Sequence, residues 1–393
     1  MRSARRGTWN KFLSALPEIG SQGIRAGRPI SSHPFSIRPT EAPPNEAVDP
    51  VTLLPQAPPR FMDDGSLITP HPEKRPSFLK HNHPFDPSHG YDLQSLLRVT
   101  VPPEPADFAS FWQARYAKAL QASPDSTLAA TGEPRHGWRI FDWSFRSLDG
   151  TSIKGWALLP VKEEIHRAFI IGHGYGGLTE PDLNLPLPNA ALFFPCFRGL
   201  GLSQQAGISS NPARHVLHQV DNQHQYVIGG CVDDLWLAVT AVLQHFPQTA
   251  EHLGYLGISF GGGIGALALP WDSRMRQAHL NVPTFGNQEL RLELGSVGSA
   301  ASVQHYWRRH PEVHQVLRYY DAASAAKYLH QPTHCACALF DPAVAPAGQF
   351  AIYNQLAGSK TLFVLTAGHH DYPGKHSEDR LLRQEIQHFF RGL

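Results

Sequence analysis

Charge is scarce in this 393-residue chain. Asp, Glu, Lys and Arg make up 17% of it, well below the usual quarter. What charge there is nearly cancels, with 34 Lys and Arg against 33 Asp and Glu and a formal net charge of +1. That balance argues against nucleic acid as the main partner, because such proteins carry a basic face or stripe. Cysteine is also sparse. Cys196, Cys231, Cys335 and Cys337 make no disulfide framework at this length and fit a reducing compartment. No uninterrupted apolar run approaches the roughly eighteen residues of a membrane span, so no membrane partner is expected. The N-terminus carries Arg5-Arg6 but no apolar h-region, since Phe12-Leu13 is broken by Ser14 and then Pro17. A cytoplasmic enzyme is expected, with export the alternative. No internal repeat at a fixed period is visible.

What the chain has in excess is Gly (33) and Pro (34). Yet 41% is apolar and 10% aromatic, enough to bury a core, which excludes a uniformly disordered chain. The length suits one large α/β domain with decoration. Residues 1–78 are rich in Pro, Arg and Ser without a sustained period, as in Glu41-Ala-Pro-Pro-Asn and Gln56-Ala-Pro-Pro-Arg. They read as a poorly structured N-terminal extension, and residues 79–393 as the folded domain. Phe108, Phe111, Trp112, Tyr116, Ala119 and Leu120 fall on one helix face, with Asp107 as N-cap. Trp138–Ser144, Ile153–Leu159, Ala168–Ile171, Ala190–Phe194 (closed by Pro195), Gly254–Ile258, Ala336–Phe340 and Thr361–Thr366 read as strands. Leu235–Phe246, Gly261–Leu269, Phe350–Leu356 and Glu378–Phe390 read as helices. Short apolar strands alternating with helices predict an α/β fold with a mostly parallel sheet covered on both faces.

One pentapeptide carries chemistry. Gly257-Ile-Ser259-Phe-Gly261 is the chain's single G-x-S-x-G, with the strand Leu253–Ile258 before it and a Gly-rich helix start after it. This is the strand–turn–helix context of a nucleophile elbow: small neighbours avoid collision, and the helix N-terminus favours developing negative charge. A phosphate loop is disfavoured, because no Gly-Lys-Ser/Thr and no G-x-G-x-x-G followed by a ribose-binding acid occurs here. An elbow serine needs a base and a carboxylate to orient it, in the chain order Ser, acid, His. Asp341 ends a strand 82 residues on, and His369 follows a strand and Ala367-Gly368 after a further 28. Asp321 reads better as a helix N-cap, and Asp371 lies on the same loop as the histidine. His370 adjoins His369 and stays an open alternative. An oxyanion needs two backbone N–H donors. Phe260 supplies one by position, and Tyr175, in the glycine-rich loop Gly172-His-Gly-Tyr-Gly-Gly177, supplies the other. His334-Cys-Ala-Cys337 and His81-Asn-His83 resemble metal ligands only locally, and no further spacing completes a zinc site. No metal is expected. Trp307-Arg308-Arg309 reads as a solvated helix face.

From about Pro84 to the C-terminus the chain resembles the acetyl xylan esterase and cephalosporin C deacetylase family, carbohydrate esterase family 7. The resemblance is carried by Pro105-Ala-Asp-Phe-Ala-Ser-Phe-Trp112, His173-Gly-Tyr175, Phe197-Arg-Gly-Leu-Gly-Leu-Ser203 and Gly257-Ile-Ser-Phe-Gly-Gly-Gly263. Phe340-Asp341 followed by Phe350-Ala-Ile-Tyr-Asn354, and Gly368-His369, complete it. It implies an α/β-hydrolase fold, with Ser259, Asp341 and His369 as triad and Tyr175 and Phe260 as oxyanion donors. It further implies no cofactor, release of acetate from short O-acetyl esters on sugars, and cyclic homo-oligomers, often hexamers. Three positions depart from the pattern. Leu200 stands for the Gln of Arg-Gly-Gln, Phe260 for the Gln after the serine, and His370 for the Glu after the histidine. Rival readings are another hydrolase of this fold, dienelactone hydrolase-like or peptidase-like, and a catalytically silent binding protein. A complete Ser, His and Asp set argues against the last.

Overall fold

The computed structural model describes residues 79–393 and the backbone of two short strands, β1 (Arg60–Phe61) and β2 (Leu67–Thr69). The rest of the expected extension over 1–78 lies outside the described residues. Nine more strands follow: β3 (Thr127–Ala130), β4 (Trp138–Arg146), β5 (Ser152–Pro160), β6 (Ala168–Gly172), β7 (Ala191–Cys196), β8 (Leu253–Ile258), β9 (Gln277–Asn281), β10 (Thr333–Ala338) and β11 (Lys360–Leu365). All join one sheet in the order β1-β2-β11-β10-β9-β8-β6-β7-β5-β4-β3. From β7 through β6, β8, β9, β10 and β11 to β2 every pairing is parallel. The β3-β4-β5-β7 side is antiparallel. This is the α/β-hydrolase architecture.

Local sequence explains the division. The central strands β6, β7, β8 and β10 are buried at every residue, as strands covered on both faces must be. On β4 burial largely alternates, because one face of that margin meets water. Two cores result. One, under the helices Val227–His245, Phe260–Ala268 and Pro346–Gln355, includes Trp112, Trp236, Tyr255 and Phe350. The other, under the helix Lys375–Phe389, includes Phe169, Phe194, Leu256, Phe363, Leu382 and Ile386.

Several elements differ from expectation. β7 runs on through Pro195 to Cys196. Its last β6 partner is Phe193, so the missing proline N–H falls where that ladder has ended. β10 stops at Ala338, two residues before the expected end. The helix expected over Leu235–Phe246 begins at Val227. Its 19 residues are long and apolar enough to cross a membrane by length and composition, and 83% of its most apolar stretch is buried inside the fold. Asp233 and Asp234 interrupt the apolar run, and each pairs with an arginine, Asp233 with Arg115 and Asp234 with Arg198, both at 2.7 Å. Asp107 occupies the expected N-cap position but makes no side-chain cap bond; its carboxylate accepts from the Tyr319 hydroxyl.

Residues 79–100 strap the sheet's C-terminal edge. Asp341 N–H donates to Pro87 O (3.2 Å). Asn354 Nδ2 donates to Leu96 O and Val99 O (both 3.0 Å), and Asn287 Nδ2 to Thr100 O (2.9 Å).

Candidate active site

The elbow sits at the end of β8, near the middle of the sheet. Ser259 adopts φ 53°, ψ −111° between β8 and the helix Phe260–Ala268, a region a side-chain-bearing residue enters only when its surroundings compel it. They do so through the backbone: Ser259 N–H donates to Asn281 O (2.8 Å), and Ser259 O accepts from Gly263 N–H (3.0 Å) and Thr284 N–H (3.1 Å). Close approach explains the flanking glycines. A Cβ on Gly257 would lie 2.5 Å from Gly261 O, and one on Gly261 would lie 2.4 Å from the Gly172 carbonyl carbon.

Asp341 and His369 come from the C-terminal ends of β10 and β11, one and two strands beyond β9, where α/β sheets place reactive groups. His369 Nε2 stands 2.9 Å from Ser259 Oγ, and its Nδ1 stands 2.8 and 3.0 Å from the two Asp341 oxygens. A carboxylate only accepts, so the neutral ring carries its proton on Nδ1 and turns the Nε2 lone pair to the serine hydroxyl. Asp341 is fully buried. Ala343 and Val344 N–H groups donate to its Oδ1 (both 2.9 Å), and Gln349 Nε2 donates to Oδ2 (3.0 Å). Gly368 leaves space for this pair, since a Cβ there would lie 2.3 Å from Asp341 Oδ2.

The competitors are engaged elsewhere. Asp321 caps the helix Ala322–Ala326 through Ala323 and Ser324 N–H. Asp371 pairs with Lys375 (2.8 Å). The His370 ring packs on Phe340 (5.0 Å between centroids) and on His83 (6.3 Å).

The glycine-rich loop lies against the elbow, because Gly261 N–H donates to His173 O (2.9 Å). The His173 ring fixes the loop from both sides. Nδ1–H donates to Gly174 O (2.7 Å), and Nε2 accepts from Phe197 N–H (3.0 Å). No acceptor among the described residues takes the backbone N–H of Tyr175 or of Phe260. The Tyr175 hydroxyl donates to His215 Nδ1 (3.1 Å), and His215 Nε2–H donates to Arg198 O (2.9 Å). Burial pushes both His173 and His215 down to about 4, so both are neutral near pH 7. The Phe260 side chain fills an aromatic box of Tyr175 (4.2 Å between centroids), Phe197 (5.5 Å), Phe285 (6.1 Å), His173 and His215 (both 6.2 Å). Phenylalanine at this position therefore contributes packing.

The sequence reading misses Gln349. It is fully buried on the helix Pro346–Gln355. Besides Asp341 it donates to Val344 O (2.7 Å) and accepts from Ala338 N–H (2.8 Å), so it locks the strand end to the carboxylate. Its one trace in the sequence is a polar residue within an otherwise apolar helix face. Arg198 holds Asp234, Asp149 and Ser147 together, and Leu200 is buried beside it in sequence. Cys335 and Cys337 are buried in the core. The rings of His81 and His83 stack 5.7 Å apart, and among the described residues no group of three or more His, Cys, Asp or Glu could hold a metal ion. A cavity of about 940 Å³, lined by Arg115, Arg198, His218 and Asp233, does not include Ser259. Its arginines are paired with carboxylates, and it presents no nucleophile hydrogen-bonded to a base.

The acetyl xylan esterase (AXE1) family model matches residues 97–388. Among solved structures, an acetyl xylan esterase from a Paenibacillus species is 21% identical with a TM-score of 0.66, over 75% of this chain and 99% of that one. Acetyl xylan esterase 1 from a Thermoanaerobacterium species is 23% identical with a TM-score of 0.64, over 77% of this chain and 99% of the other. An acylaminoacyl peptidase from Pyrococcus horikoshii shares the fold at a TM-score of 0.50 and 16% identity, over 65% of this chain and 41% of that one. Fold alone thus does not separate ester from amide chemistry, whereas the family match spans nearly the whole described domain. The chain belongs to the acetyl xylan esterase family and is a carboxylic ester hydrolase.

Proposed function

We propose that the protein removes acetyl groups from O-acetylated sugars or similar small esters through a Ser259–His369–Asp341 triad. The observation that carries this reading is the unbroken hydrogen-bonded line from Ser259 Oγ through His369 to the buried Asp341. His369 Nε2 takes the hydroxyl proton as Ser259 Oγ attacks the acetyl carbonyl. Asp341 holds the Nδ1–H tautomer and stabilises the imidazolium. The N–H groups of Tyr175 and Phe260 hold the oxyanion, at the N-terminus of a helix that favours negative charge. The tetrahedral adduct collapses, and the alcohol leaves with the proton from His369. Water, activated by the same imidazole, attacks the acetyl-enzyme and releases acetate and free serine. The test is p-nitrophenyl acetate hydrolysis by Ser259→Ala beside labelling with a fluorophosphonate. We expect wild type to be labelled at Ser259 and the variant to lose orders of magnitude in kcat. Full activity in Ser259→Ala would end the assignment.

A further inference from the structure

His369 sits in a backbone conformation that its own side chain disfavours. Its φ is 45°, in the left-handed region that a residue with a Cβ keeps only where the surroundings over-determine it. The residue lies midway along the loop 366–372, between β11 and the helix Lys375–Phe389. On one side of it, Gly368 N–H donates to Phe340 O (2.8 Å). On the other, Asp371 pairs with Lys375, but the Asp371 side chain is 92% exposed, and a pair in water holds little. The bond from Nδ1 to Asp341 orients the ring and leaves the loop itself to be held by something else.

Both ends of the loop meet on one carboxylate. Glu378 lies in the first turn of the helix Lys375–Phe389 and is buried. At the near end, Thr366 N–H donates to its Oε2 (2.9 Å) and the Thr366 hydroxyl donates to its Oε1 (3.0 Å). At the far end, the Tyr372 hydroxyl donates to Oε2. The Ala367 N–H bears on that same hydroxyl. Burial, then the Glu378 charge, raises Tyr372 above its ordinary value, so it stays an uncharged donor. Hydrogen bonds to a charged acceptor are stronger than neutral ones. The helix is fixed in turn, because Leu382 and Ile386, one and two turns on from Glu378 along the same face, are buried in the core beneath the sheet. The carboxylate therefore ties the loop to a rigid element.

We propose that Glu378 is a positioning residue for ester hydrolysis: by closing the loop 366–372 from both ends, it holds His369 in its left-handed conformation with Nε2 on Ser259 and Nδ1 on Asp341. This rests on the triad reading above. The test measures p-nitrophenyl acetate hydrolysis by wild type, Glu378→Ala and Glu378→Gln, each rate divided by the serines titrated to completion with a fluorophosphonate. Unfolded molecules are not titrated, so a smaller folded fraction does not imitate the result. Glutamine can accept from Thr366 N–H and the Tyr372 hydroxyl through its carbonyl and donate to Thr366 Oγ1, keeping the ties without the charge; alanine loses them all. We expect Glu378→Ala to lose about ten- to hundredfold in kcat per titrated serine, with KM changed less than about threefold, as for a base misplaced by a fraction of an ångström to about 1 Å. Glu378→Gln should stay within about threefold of wild type. The proton on His369 Nδ1, held against Asp341, gives a far-downfield proton resonance, identified by its loss in His369→Gln. It should shift or broaden in Glu378→Ala and stay in place in Glu378→Gln. If Glu378→Ala does not fold, Thr366→Val and Tyr372→Phe remove one side-chain tie each and should each lower kcat per titrated serine by about three- to tenfold; wild-type rates in both would overturn the inference. So would an unchanged kcat per titrated serine in Glu378→Ala, a loss in Glu378→Gln as large as in Glu378→Ala, a change confined to KM, or an unmoved resonance in Glu378→Ala, all of which leave the esterase reading intact. Failure of wild type to hydrolyse the ester and to be labelled at Ser259 would instead remove that reading, and the resonance would still decide whether Glu378 places His369.

Discussion

Lowering the pH from about 7.5 to about 5 should remove a large share of this protein's stability through two imidazoles that take no part in proton transfer. His173 and His215 are fully buried, and burial pushes both from 6.5 to about 4. For His215 the hydrogen bond to the Arg198 carbonyl pulls the other way, and the His218 ring adds to the lowering; burial outweighs the opposing bond. The unfolded chain takes up a proton at each ring near pH 6.5 while the folded chain does not, so the unfolded state binds more protons across this window. Stability is therefore complete above about pH 7 and falls as the pH drops toward 4. A ring shifted this far contributes about 2 kcal/mol of loss at pH 5 and close to zero at pH 7.5, so the two together account for roughly 4 kcal/mol. A typical domain has about 5–15 kcal/mol in total. The assay is urea unfolding at both pH values for wild type and His215→Gln. Glutamine can accept from the Tyr175 hydroxyl and donate to the Arg198 carbonyl, as the ring does at 3.1 and 2.9 Å, without titrating. His279 and His334, also pushed down by burial, add a loss of the same sign to both proteins. The variant should therefore lose about 2 kcal/mol less than wild type on acidification. Parallel losses in the two proteins, or no loss in wild type, would refute the reasoning.

Other substitutions probe the site's frame. Gly368→Ala places a Cβ 2.3 Å from Asp341 Oδ2 and should lower kcat/KM on p-nitrophenyl acetate more than about tenfold, since roughly 1.4 kcal/mol of misplacement suffices; unchanged steady-state kinetics would count against it. Gln349→Leu removes donors to Asp341 and Val344 O and orphans the Ala338 N–H. It should cost about 2–4 kcal/mol in urea unfolding and lower kcat as well. Gly261→Ala sets a Cβ 2.4 Å from the Gly172 backbone, where neither side can yield. It should destabilise by roughly 3 kcal/mol or more, visible as a lowered unfolding temperature or loss of soluble protein.

The elbow was legible because its chemistry is local: five residues, a strand before and a helix after. Asp341 and His369 were legible because each closes an apolar strand, so their meeting follows from topology rather than from sequence proximity. β9 was not legible. Gln277, His279 and Asn281 make it look polar, yet it lies between β8 and β10, where His279 meets His334 Nδ1 to Nδ1 at 2.8 Å. Buried polar side chains on a central strand break the apolar run by which such a strand is read. Gln349 was hidden for a related reason: it stands one residue before the helix read from Phe350, and only the packing shows that it faces Asp341. The Pro195 error came from treating proline as a stop, when its place in the ladder decides.

The family match begins at residue 97, but the strap shows that residues supporting the site begin earlier. Shortening the chain to that point would discard Pro87, whose carbonyl holds the backbone of Asp341. It would also discard Phe85, whose ring packs so closely on Gly295 that a Cβ there would come within 2.7 Å, and Leu96, one of the two carbonyl anchors of Asn354. A truncation designed from the matched segment would therefore damage the seat of Asp341 without removing Ser259, Asp341 or His369. Trimming from the N-terminus should stop before residue 79, and even there it removes β2, which pairs with β11 through Thr361, Leu362 and Phe363, the strand that presents His369.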